Sequence, residues 1–327
     1  GTVMKRGTSG LCGVLAIDKP AGITSHDVVD RVRRITGERR VGHAGTLDPM
    51  ATGLLLVGVG AATRLSNYLT GHDKAYSARI VFGVATDTDD AEGRVVTQFS
   101  SSAPGEGLAV LDRLDPRQTL SSLVGKAKQL PPAYSAIKKN GVTAYKAARE
   151  GKALELEARD VEIFDAQFAG SGTTPVDLDD GQGGRFAAEL PYWDVSLHVS
   201  KGTYIRSIAR DLGQSLGCGA YLGALRRTAI AGYTLDSAIT LDGFAELVSR
   251  GQAIPWCDPT DLLGFPRLDL NDEQVCDVKN GRELKGGYDA DVQLVSCVAG
   301  GRLLAVYSCS AGRLKPATVI PGGVAGA

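Results

Sequence analysis

Residues 39–65 read RRVGHAGTLDPMATGLLLVGVGAATRL, and this stretch decides the fold. Between Val41 and Gly53, three glycines, a proline and several polar residues spell a loop. Leu54 to Val59 is an apolar run, the pattern of a buried strand. A short helix is expected around Thr63 to Leu69. Asp48 then lies in a loop tied down by Gly45, Pro49 and Gly53, just before that strand. Such a loop can hold a carboxylate rigidly at a cleft edge. An Asp before Pro is equally an ordinary turn former, so Asp48 alone does not establish chemistry.

Upstream, the apolar run Gly13 to Ile17 ends at Lys19-Pro20, a strand and a turn. Thr24 or Ser25 can cap a helix that carries Val28, Val29, Val32 and Ile35 at helical spacing and stops at Gly37. The run RVRRITGERR holds Arg31, Arg33, Arg34, Arg39 and Arg40 against Glu38 alone. Most of these arginines fall off the apolar stripe. They form either a solvated face or a phosphate-binding one.

Downstream, Tyr76 to Phe82 alternates as a strand. DTDDAEG, residues 87–93, turns the chain back into Val95-Val96 and misses calcium-loop spacing. A helix is expected over Arg117 to Lys126. PPAYSAIKKNG, residues 131–141, reads as a strand ending in an Asn-Gly hairpin turn, with a helix around Tyr145 after it. Val161 to Phe168 and Val195 to Ser200 read as strands. The Gly- and Asp-rich residues between them, about 170–185, are expected to form a flexible insert. TYIRSIARDLGQSLG places Ile205, Ile208, Ala209, Leu212 and Leu216 on one helical face. The organisation expected is a tail over 1–12, a catalytic domain over 13–264 and a small β-rich domain over 265–327.

The 327 residues carry a net charge of −1, so an RNA site would have to come from local clustering. The six cysteines form no C-x-x-C and no histidine lies at zinc-site spacing, which implies reduced thiols and no metal. Gly58 and Gly60 lack the third glycine of a dinucleotide fingerprint, and there is no P-loop. No apolar run reaches membrane-span length, and GTVMKRGTSG lacks the apolar core of a signal peptide. A cytoplasmic protein without membrane contact is expected.

Arg206 lies at the start of its helix, where a cation opposes the helix dipole unless an anion meets it. That anion could be a carboxylate or a phosphate. Tyr76 follows Lys74 at a strand start, and His43 lies between glycines in the loop; both residue types commonly serve structure alone.

Taken together, the segments GVLAIDKPAGITSHDVV, RRVGHAGTLDPMATGLLLVGVGAATRL, KAYSARIVFGVATDTDDAEG, PPAYSAIKKNGVTAYKAAREG, SKGTYIRSIARDLG and LGALRRT closely resemble the TruB family of pseudouridine synthases, in that family's order. The resemblance covers roughly Gly13 to Thr228. It implies an α+β fold, with a mixed, mainly antiparallel central sheet, flanking helices and a PUA-like RNA-binding domain at the C-terminus. It implies that Asp48 is the essential aspartate, that Tyr76 stacks on the target base and that Arg206 pairs with the aspartate. Tyr204 matches the neighbouring tyrosine, and His43 the histidine that accommodates the flipped nucleotide. Lys19 and Pro20 match a short motif beside the site, and Leu225 an apolar active-site segment. The implied substrate is the T-loop uridine at position 55 of tRNA, modified by a monomer. The insert at 170–184 departs from the family pattern.

Pseudouridylation breaks an N-glycosidic bond, turns the uracil and rejoins it through carbon. No redox change occurs, so no cofactor is required. The base must be flipped out, at about a few kcal/mol, and stacking on an aromatic offsets about 1–3 kcal/mol of that. A carboxylate covered by RNA is desolvated, and a permanently charged guanidinium keeps it anionic. Attack on C1′, addition to C6 and proton removal at C2′ are all compatible with these residues. Arg31, Arg34, Arg39, Arg40, Lys138, Lys139, Arg226 and Arg227 are the candidates for phosphate contacts. The rival functions are a synthase of another RNA, a guide-dependent synthase, a tRNA-folding chaperone and a two-carboxylate hydrolase.

Overall fold

The computed structural model describes residues 7–96, 103–134, 156–286 and 292–327, together with the backbone of 138–139 and 142–143. The chain divides into two units, one of Gly1–His72 with Ala229–Ala327, the other of Asp73–Thr228.

In the first unit, strand Gly13–Lys19 pairs antiparallel with Thr52–Val59 along its whole length and parallel with Ile239–Thr240. Val41–Ala44 also pairs antiparallel with Thr52–Val59. These four residues are therefore strand, not loop. The small Gly42 fits the ladder, and the loop proper begins at Gly45. Helix Ser25–Thr36 starts in a capping box of Thr24 and Asp27 and ends at left-handed Gly37. It buries Val28, Val29 and Val32, the stripe expected from their spacing.

The C-terminal strands Leu294–Ala299, Arg302–Ser310 and Arg313–Ala325 form an antiparallel meander, with Arg267–Asp269 added in parallel. One core of this meander gathers Val278, Cys297, Tyr307 and Leu314. Val298, Leu303, Val306 and Val324 instead share a core with Val14, Leu54 and Leu56. The backbone joins the same partners, because Ala325 N donates to Cys12 O at 2.9 Å.

The second unit is built on the strand order Ala220–Ile230, Lys74–Phe82, Arg185–Val199, Arg159–Asp179, Gly125–Gln129. The last two residues of Ala220–Ile230 pass into the first unit. Helices over Pro116–Ser121 and Ile205–Leu216 accompany these strands. The mixed, mainly antiparallel α+β fold and the β-rich C-terminus are as expected.

The stretch 170–184 is not a flexible insert. Thr173 through Asp179 pair with Pro191 through Arg185 in register, so two long strands run to a tight end. Residue exposure alternates along Phe168–Val176, the period of a strand. Only the tip carries the turn chemistry. There Asp180 Oδ1 accepts from Gln182 N at 2.7 Å and Gly184 N at 3.0 Å. Near its base, Asp194 takes Arg79 in two bonds of 2.8 and 3.0 Å, and that guanidinium lies 3.7 Å from the Tyr192 ring centroid.

The helix expected over Arg117–Lys126 stops at Ser121, and Gly125 opens a strand. Lys138 and Lys139 pair antiparallel with Thr143 and Val142, and the Asn-Gly turn expected between them lies outside the described residues. The helix expected around Tyr145 lies outside the described residues.

Helix Ile205–Leu216 touches backbone at Gly213, where an added Cβ would lie 2.1 Å from Ala220 N and 2.4 Å from Gly219 C. Gly213→Ala should therefore force the helix off its neighbour and lower stability by about 1–3 kcal/mol. A thermal melt followed by circular dichroism checks this, and an unchanged midpoint would show that the helix has room to shift.

Candidate active site

Asp48 is half-buried in a loop fixed from several sides. Lys19, the last residue of its strand, is completely buried. Its Nζ donates to the carbonyls of Pro20 at 2.8 Å, Ile23 at 2.7 Å and Pro49 at 3.3 Å. A buried ammonium is costly unless its donors are satisfied, and here three carbonyl dipoles stand in for water. Pro49 O also accepts from Gly22 N at 2.8 Å.

On the other side of Asp48, Ser25 and Leu47 exchange two bonds. Ser25 Oγ accepts from Leu47 N at 2.9 Å and donates to Leu47 O at 3.1 Å. Gly45 enters the loop at φ 79°, a left-handed turn open to few side chains. The residues flanking Asp48 are thus bound to the Lys19–Ser25 segment. His43 lies on the strand Val41–Ala44 opposite Val57, and Pro20 is exposed.

In the second unit, Tyr76 lies on strand Lys74–Phe82 opposite Leu197 and is 7% exposed. Lys74 shares its strand face. Burial, then the nearby Arg227 charge, push the Lys74 ammonium down to about 8, with Asp73 acting against them. Leu225 is buried on Ala220–Ile230.

Tyr204 is the residue before helix Ile205–Leu216, and its side chain makes no cap bond to that helix. Gln129 holds it instead, accepting from Tyr204 N at 2.9 Å and donating to Tyr204 O at 3.2 Å. Arg206 is buried and donates to Thr88 O at 3.1 Å. One turn further on, Arg210 reaches Asp89 Oδ2 at 3.3 Å, Leu130 O at 2.7 Å and Asp211 Oδ1 at 3.0 Å. Asp89 is 4% exposed, and burial pushes its carboxyl up to about 7 against the pull of Arg210 and Arg206.

Sequence reading brought out Lys19, Tyr204 and Arg206 but missed Gln129, Asp89 and Arg210. It read Ser25 only as a possible cap. The alternating charges of R-S-I-A-R-D were the signal available for Arg210.

Residues 33–205 match the TruB family pseudouridylate synthase (N terminal domain), and residues 206–253 match the tRNA pseudouridylate synthase B C-terminal domain. A protein of Arthrobacter sp. (strain FB24) named tRNA pseudouridine synthase B is 40% identical over 317 residues, covering 94% of this chain and 96% of its own. One of the same name from Mycobacteroides abscessus is 43% identical over 298 residues, covering 88% and 92%. The chain belongs to the TruB family of pseudouridylate synthases. As a TruB-family enzyme it is an isomerase. The fold is also that of a chain in the archaeal box H/ACA sRNP Nop10-Cbf5 complex, with TM-score 0.61 and 20% identity over 95% of this chain and 86% of the other. No helix among the described residues is long and apolar enough to cross a membrane.

The basic residues expected to serve this TruB enzyme as phosphate contacts fall into different surroundings. Arg34, Arg39 and Arg40 are exposed. Arg31 is engaged by Asp242 at 3.0 Å, a solvent-exposed pair worth little and easily exchanged. Arg226 is half-buried. Arg227 is 1% exposed, which corrects its reading as a surface phosphate contact. Around it the strand alternates, with Leu225 and Arg227 buried and Arg226 and Thr228 half-buried. Only backbone is described for Lys138 and Lys139.

Ser25→Ala removes both bonds to Leu47 and leaves that peptide unsatisfied in a buried position, so it should cost about 1–3 kcal/mol, measurable by urea unfolding. Asp89 predicts a pH dependence. A carboxyl raised in the fold keeps a proton that the unfolded chain has already released. Its contribution therefore weakens as pH rises from about 4 to about 7. The melting temperature of Asp89→Asn relative to wild type should accordingly rise across that window. A flat difference would show that the carboxyl titrates normally.

Proposed function

We propose that this enzyme isomerises the T-loop uridine at position 55 of tRNA to pseudouridine, with Asp48 as nucleophile or base and without a cofactor. The observation that carries the proposal is the Asp48 loop. Its backbone is held by bonds to both flanking residues, Leu47 and Pro49, in a chain whose relatives are named tRNA pseudouridine synthase B. A fixed carboxylate needs no reorganisation when charge develops on the reacting sugar or base.

In this reading the T-loop uridine leaves its stack and rests on Tyr76, with His43 and Tyr204 accommodating the nucleotide and Leu225 supplying an apolar wall. Tyr76 is now largely covered, so entry of the base displaces what covers its ring. Arg206 keeps the carboxylate of Asp48 anionic while RNA excludes water. Lys19, with Pro20, acts by holding the loop. The isomerisation gains and loses no atoms, and a positioned carboxylate and guanidinium suffice for it.

Arg34, Arg39 and Arg40 are the phosphate contacts we assign first, joined by Arg31 once it leaves Asp242. Residues 265–327 serve as the RNA-binding module, beside a catalytic domain of 13–264, and the enzyme works as a cytoplasmic monomer. Phosphate contacts of this kind predict a steep, linear fall of log affinity with log salt.

Asp48→Asn tests the assignment. The variant should bind unmodified tRNA within a few-fold of wild type, while pseudouridine formation falls by at least about a thousandfold. Filter binding and chemical mapping of pseudouridine measure the two quantities. Substantial turnover by the variant refutes the role of Asp48. Wild-type protein that binds tRNA and forms no pseudouridine would favour a folding chaperone instead.

A further inference from the structure

One buried carboxylate is not used by the chemistry above. Asp89 lies in the turn of residues 86–92, at φ 64°, a backbone region that few non-glycine residues enter. Its place is fixed at every polar group shown. Its N donates to Thr86 O at 3.2 Å, and its carbonyl accepts from Leu222 N at 2.9 Å. Its Oδ2 meets Arg210 Nη1 at 3.3 Å.

The same turn presents the Thr88 carbonyl, which accepts from Arg206 at 3.1 Å. Arg210 stands one helical turn after Arg206 and also binds Leu130 O, as does Ser207 Oγ at 2.9 Å. Asp89 and Arg210 therefore form a clamp with two outputs. It fixes the carbonyl that aims Arg206, and it fixes the strand end next to Gln129, which holds Tyr204.

We infer that Asp89 is a positioning residue for pseudouridine formation, acting through Arg210 and the Thr88 carbonyl to hold Arg206 in its working orientation. The inference rests on the role proposed for Arg206.

The clamp depends on charge. With Asp89 ionised, the carboxylate holds the fork of Arg210 by attraction and hydrogen bonding. With Asp89 neutral, Arg210 keeps the half-exposed Asp211 as its counter-charge among the described residues, and its fork is held less firmly against the turn. The charged groups that act on Asp89 are Arg210, Arg206 and Asp211, all on the same helix. Burial sets ionisation near neutrality, at about 7, so the clamp closes as pH rises through that value.

The experiment compares wild type with Asp89→Asn in single-substrate kinetics on unmodified tRNA from about pH 5.5 to 8.5. The kcat ratio of wild type to variant should lie near one at the acid end and reach about tenfold at the alkaline end, with KM changed by less than about twofold. Effects of Asp48 are common to both proteins and cancel in the ratio. Arg210→Lys keeps the charge but cannot reach Asp89 and the Leu130 carbonyl together. It should show a similar kcat loss at alkaline pH, and it serves if Asp89→Asn does not fold. A kcat ratio that is the same at every pH, including unity, overturns the inference, as does a loss carried by KM alone. Wild type that forms no pseudouridine overturns the functional reading instead.

Discussion

A buried ammonium and three carbonyls hold the loop that contains Asp48. Lys19 could not sit in the interior without acceptors, and Pro20, Ile23 and Pro49 supply them. The requirement works in both directions. The lysine needs the carbonyls, and the chain must fold back at Gly22 and Pro49 to present them. Satisfying one charge thus fixes the path of two segments that lie 30 residues apart. Asp48 inherits its position from this bond set.

The second unit uses charge in the same manner but with ionic partners. Arg206 and Arg210 emerge from the first turns of one helix, where no acidic residue precedes them on that helix. Each finds its acceptors in the turn 88–89 or at Leu130 instead. Buried ions of this kind contribute little net stability, but a lone survivor of a broken pair is expensive. The arrangement favours one orientation over all others. Each guanidinium is thereby held in one direction.

Much of this was legible in the sequence, and the omissions have physical causes. The helix Ser25–Thr36 followed from its valine spacing, its Thr24 cap and Gly37, all local signals. The candidate site residues followed from ordered motifs, since Asp48, Tyr76 and Arg206 are not distinctive one at a time. The hairpin was misread because Gly and Asp composition outweighed the period-two alternation of Thr174, Val176 and Leu178, when only the tip needed turn residues. Lys19 was placed at a strand end and in a motif beside the site, but nothing local announces three converging carbonyls. Asp89 and Arg210 are 121 residues apart, so their pairing is a property of the fold alone. Arg227 was a candidate phosphate contact by its charge, yet its place on the strand buries it.

The shared core of the first unit sets an order of events during synthesis. Val14 and Leu54 leave the ribosome well before Val298, Leu303 and Val324, which pack with them. For most of translation the earliest strands have apolar faces without their final neighbours. Contacts so distant along the chain are slow to form and leave sticky surface exposed meanwhile. The segment 73–228 is a compact unit by itself, while the strands that carry Val14 and Leu54 wait for those that carry Val298 and Val324.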